Sequence, residues 1–80
     1  MNIEKLEEMY KEELEIFLEN KNFVVRKGSN KKRLTRLAND FYEGTLLLSP
    51  EELDIVSFKL GYFQGIEEAL MRLKNSDKEL

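Results

Sequence analysis

The chain has 80 residues, 41% hydrophobic and 36% charged, with a net charge of −3. That length makes one domain, and a chain this short buries only ~60% of the surface its unfolded form exposes, so its core is small. With no Cys and no His, disulfides and thiolate metal sites are excluded, and the commonest metal ligand and the usual neutral-pH general base are missing.

A first helix is predicted over about residues 3–19. Ile3, Leu6, Tyr10, Leu14 and Phe17 recur at helical spacing, and the glutamates fall mostly off that stripe. Asn20-Lys21-Asn22 breaks it. Phe23-Val24-Val25 follows, and Thr45-Leu46-Leu47-Leu48 is a similar short apolar run. Paired as a two-stranded ribbon, these runs would make the fold α+β. An all-α fold is preferred, because an isolated ribbon is weak without support. A second helix is predicted over about residues 31–43, capped by Ser29 or Asn30 and stopped by Gly44. Its apolar residues Leu34, Leu37, Ala38, Phe41 and Tyr42 share one face. The third helix has the strongest start, Ser49-Pro50-Glu51-Glu52, with Ser49 as N-cap, Pro50 at the first position and Glu52 at the capping-box position. It is predicted to run to about residue 74, with a loose tail over 75–80. The expected fold is therefore all-α: a three-helix domain with a long C-terminal helix.

The third helix carries more apolar surface than its neighbours need. Its apolar residues fill an arc of ~220° on a helical wheel, against the ~100° that one packing layer requires. The surplus predicts a protein partner or a homodimer formed through this helix. The candidate interface comprises Phe58, Lys59, Gly61, Tyr62, Gly65 and Ile66. Gly61-x-x-x-Gly65 costs helix propensity and suggests close approach by another backbone. Lys59, in the middle of the apolar arc, either packs its stem and extends its ammonium to solvent, or meets a carboxylate such as Glu13.

Charge is segregated along the chain. Residues 1–20 carry seven acids and two bases, residues 21–36 seven bases and no acid, and residues 37–80 nine acids and four bases. The basic block, Lys21, Arg26, Lys27, Lys31, Lys32, Arg33 and Arg36, is a candidate contact for nucleic acid or for an acidic partner. It has no base-reading signature, and its acidic flanks would repel a polyanion. The glutamates of the first helix read as a solvated face. Ser29, Ser49, Ser57 and Ser76 have no His to activate them. No catalytic, metal or cofactor site and no small-molecule substrate are expected.

Leu48-Ser49-Pro50-Glu51-Glu52-Leu53-Asp54 is similar, with one extra residue, to the Ser-x-Glu-Leu-Asp signature of small helical sporulation-control phosphatases. That resemblance would make Asp54 the residue of interest, although capping chemistry accounts for the same residues. The Lys/Glu/Asn-rich composition also resembles small accessory proteins of phages and plasmids. On that basis the expected function is a non-enzymatic interaction or regulatory protein, of the kind that inhibits or modulates a host or defence complex. The alternative is a nucleic-acid-binding protein. The absence of Cys fits a cytoplasmic location, and neither a signal peptide nor a membrane span is expected.

Overall fold

The computed structural model describes residues 2–79, with side chains through residue 76. Three helices follow one another: α1 (Ile3–Glu19), α2 (Asn30–Glu43) and α3 (Pro50–Glu79). Among the described residues there is no strand, so the all-α reading holds and the ribbon alternative does not. The two apolar runs are used as packing instead. Val24 is buried in the core, and Phe23, Leu46 and Leu48 pack against it. With few residues in each run, side-chain burial against three helices outweighs the gain from a short unsupported ladder.

Local chemistry sets the helix ends. Asn2 caps α1 by accepting from the backbone N–H groups of Glu4 and Lys5. Asn20 closes it, its side-chain amide donating to the Ile16 carbonyl at 2.9 Å. Ser29 caps α2 through the Lys32 N–H. Gly44 ends it in the left-handed region at φ 72°, where other residues are strained. At α3, the Glu52 N–H donates to Ser49 Oγ at 3.2 Å, and the Ser49 hydroxyl donates to Glu52 Oε1 at 3.0 Å. The expected capping box is therefore formed, and Ser49 and Glu52 are engaged in it.

α3 extends beyond its predicted end. It is helical through Glu79 rather than giving way to a loose tail at Asn75; Leu80 lies outside the described residues. No Gly or Pro follows Lys74 to stop it, and adding residues to an existing helix is far easier than starting one. Lys74 is also tied to α1 by a 2.8 Å contact with Glu7.

Both shorter helices run against α3. Along α1, Glu7 meets Lys74, Tyr10 meets Glu67 and Glu13 meets Tyr62. Along α2, Lys31 at the start meets Glu67 near the middle of α3, and a short connection returns the chain to Pro50. α1 and α2 therefore run in the same general direction, and the segment between them, residues 20–29, has to double back. The core lies where the three helices meet. Leu14, Phe17 and Leu18 of α1, Leu34, Leu37 and Ala38 of α2, and Val56, Leu60 and Phe63 of α3 form one buried cluster with Val24. The Phe63 ring sits at its centre, 5.5 Å from that of Phe17 and 6.0 Å from that of Tyr10.

Candidate interaction surfaces

The basic block does not form one surface. Arg33 is buried. Its guanidinium donates to the Val25 carbonyl (2.9 Å), to Asn30 Oδ1 (3.2 Å) and to the Leu18 carbonyl (3.4 Å). It thus joins the last turn of α1, the doubling-back segment and the first turn of α2. A cation beside a helix C-terminal carbonyl is favoured by the helix dipole, and only guanidinium offers several donors in fixed divergent directions. Arg33 is therefore internal, which corrects its inclusion among the candidate contacts. Lys31 is exposed but lies 3.4 Å from Glu67. Lys21 is half-buried, its ammonium 6.0 Å from the centre of the Phe17 ring. Arg26 and Lys27 in the loop and Lys32 and Arg36 on α2 remain exposed, with Glu19 lining the same pocket as Arg26. None of the four belongs to an ion pair among the described residues.

The α3 surface is more continuous. Ile55, Phe58, Tyr62 and Leu73 are 47%, 69%, 39% and 37% exposed. They lie on one side of the helix, about a third of a turn from the Val56–Leu60–Phe63 core face. Gly61 and Gly65 border them, and a side chain added at either would meet nothing within 4 Å. Close approach of α1 or α2 therefore does not account for these glycines. Ile66 is half-buried along the edge. The Phe58 and Tyr62 rings stack, with centroids 6.5 Å apart and planes at 9°.

Lys59 settles between its two expected arrangements. Its stem is half-buried, and its ammonium stands over the Tyr62 ring, 5.6 Å from the centroid. Glu13 lines the same groove, but its carboxylate receives the Tyr62 hydroxyl at 2.7 Å rather than pairing with Lys59. That hydrogen bond to an acceptor carboxylate pushes the Tyr62 hydroxyl above its ordinary range.

A groove of about 480 Å³ between α1 and α3 is lined by Tyr10, Leu14, Lys31, Glu67, Leu70 and Lys74, among others. Glu67 is its hub, receiving the Tyr10 hydroxyl at 3.4 Å and facing Lys31 at the same distance. Burial and the neighbouring Glu67 charge push the Tyr10 hydroxyl up to about 12. At the rim, Lys74 holds the Glu7 carboxyl below its usual value. Among the described residues Glu7, Tyr10, Asn30, Lys31, Glu67 and Lys74 of this groove have partners, while Lys11 and Glu15 line it without one.

Sequence reasoning missed the roles of Arg33 and Glu67, since composition assigns both to the surface. Ile55, seven residues before Tyr62 and outside the sequence-predicted set, is also exposed on this side of α3. No protein-family model, curated protein or solved structure matches this chain. Among the described residues no helix is long and apolar enough to cross a membrane.

Proposed function

We propose that the protein is a non-enzymatic interaction module that binds a macromolecular partner through the exposed side of α3, in the manner of a small regulator or inhibitor. The observation that carries this reading is the uncovered row of Ile55, Phe58 and Tyr62 beside two glycines with open space above them. A small domain that leaves large aromatic and aliphatic side chains contiguous on its surface gains by covering them. Tyr is also one of the residue types that most often anchor an interface. The compositional likeness to phage and plasmid accessory proteins supports the regulatory reading, with a host or defence complex as the class of target.

The test compares the tagged wild-type chain with a Phe58→Glu, Tyr62→Glu variant under identical capture conditions. Tyr62 also bonds Glu13 of α1, so Phe58→Glu alone, at the more exposed ring, serves as the control that keeps this tie and its helical circular dichroism. Both variants are expected to lose the bound macromolecule, and capture equal to that of wild type would remove the reading.

A second reading draws on a separate observation, the exposed cations Arg26, Lys27, Lys32 and Arg36. Four cations spaced along a loop and a helix suit the phosphate backbone of a nucleic acid. Binding should then weaken steeply with salt, with a logarithmic slope of roughly −0.9 per duplex phosphate contacted. Lys32→Glu with Arg36→Glu should abolish it. A chain that fails to shift a duplex or single-stranded oligonucleotide at low salt excludes this reading.

A further inference from the structure

We infer that the occupant of the α3 stripe is a second copy of this chain, with the two α3 helices packed antiparallel about a two-fold axis between Tyr62 and Gly65. The inference rests on reading the stripe as a docking surface and adds what docks there.

The stripe is complementary to itself when reversed. Ile55, Tyr62 and Ala69 are seven residues apart, with Phe58 and Gly65 between them, the spacing that helices use to form a continuous seam. Turning a second α3 end for end about the proposed axis sets Phe58 against Ala69 and Tyr62 against Gly65, and brings Ile55 within one residue of Leu73 on the same flank. Each aromatic ring then meets a small residue, and the open space over Gly65 receives a ring. The same operation brings Asp54 within one residue of Arg72, which lies on the same flank of the helix and within side-chain reach. Among the described residues Arg72 is bonded only to the exposed Glu68 one turn earlier, a surface pair that costs little to exchange. A parallel, in-register pair does the reverse. It puts Phe58 on Phe58, leaves Gly65 facing Gly65, and keeps Asp54 far along the helix from any Arg72. Antiparallel helices also oppose their dipoles.

Area favours the same arrangement. A stable interface covers about 800 Å² on each partner, more than a single helix edge supplies. Met9 and Ile16 of α1 are 52% and 62% exposed. They lie on the flank of α1 that carries Glu13, and Glu13 is bonded to Tyr62, so they border the stripe. A two-fold axis brings like flanks together, which turns Met9 and Ile16 toward the α1 of the second copy. The interface is then two helices wide on each side and isologous, the commonest form of self-association.

Sedimentation equilibrium of the full chain at micromolar concentration should show a dimer, and Phe58→Glu should show a monomer with unchanged helical signal. Asp54→Lys and Arg72→Glu should each weaken the dimer by about fivefold, as expected for surface charge pairs that turn repulsive, and the two together should restore it. Orientation is read by cross-linking, because the natural chain has no thiol. Asp54→Cys and Arg72→Cys chains, mixed and treated with a short thiol-reactive cross-linker, should join to each other and not to themselves. Efficient self-linking of Asp54→Cys would show a parallel pair and overturn the inference. A wild-type monomer would also overturn it. In that case, loss of macromolecule capture by Phe58→Glu, Tyr62→Glu would still leave the stripe a docking surface for a different protein. No effect of those changes on either assay would remove both readings.

Discussion

Arg33 holds three pieces of chain together from the inside. Among the described residues its acceptors are two main-chain carbonyls and an amide oxygen, with no carboxylate, so these dipoles stabilise the charge. Removing the side chain strands the Val25 and Leu18 carbonyls and opens a void beside α2. Arg33→Ala should therefore lower the unfolding free energy by about 2–3 kcal/mol, measured by urea denaturation. Arg33→Lys should recover little of it, since one ammonium cannot span acceptors on three segments. Tyr10 makes a different kind of prediction. Its folded-state hydroxyl is raised from 10.0 to about 12, so the folded chain holds that proton more tightly than the unfolded chain does. The associated stability is complete below pH 10 and is lost as the pH rises from 10 through 12. Thermal melts across that window should fall more steeply for wild type than for Tyr10→Phe. A tyrosinate absorbance titration of Tyr10→Phe should also lack the latest-titrating component.

At the level of the helices, the glycines of α3 carry the clearest expectation. Gly61 and Gly65 stand in a helix interior with open space where a methyl group would go. Changing Gly61, which the proposed pairing leaves free, to Ala should stabilise the fold by about 1 kcal/mol through helix propensity alone, checked by denaturant midpoints. Helices of this chain were legible because their signals are local. The Ser49-Pro50-Glu51-Glu52 start, the Ser29 cap and the Gly44 stop each depend on residues within one turn, and each is used as read. The α3 terminus was not legible, because nothing local ends it and its tie to Glu7 comes from the far end of the chain. Phe23–Val25 and Leu46–Leu48 were ambiguous for a related reason. A short apolar run satisfies a strand or a packed loop equally well, and only the helices around it decide. The candidate site divides the same way. The apolar excess of α3 follows from its own periodicity, whereas the interior position of Arg33 depends on carbonyls eight and fifteen residues away.

At the scale of the whole molecule, α3 runs the length of a body 46 × 21 × 20 Å, with α1 and α2 on two adjoining sides and a third side uncovered. A domain this small has a thin margin of stability, and covering that side would enlarge it. If folding and pairing are linked, the melting temperature should rise with protein concentration for wild type and stay constant for Phe58→Glu, measured over a hundredfold dilution series. The doubling-back segment has a separate consequence. Arg26 and Lys27 are exposed there beside Gly28, while Arg33, seven residues after Arg26, is shielded. Trypsin should therefore nick the native protein first within this loop, at Arg26 or Lys27. The two pieces should then travel together on gel filtration, because the core and the Arg33 bonds to Leu18 and Val25 span the cut. The protein would in effect become a non-covalent complex of α1 with an α2–α3 hairpin, able to exchange one piece for another.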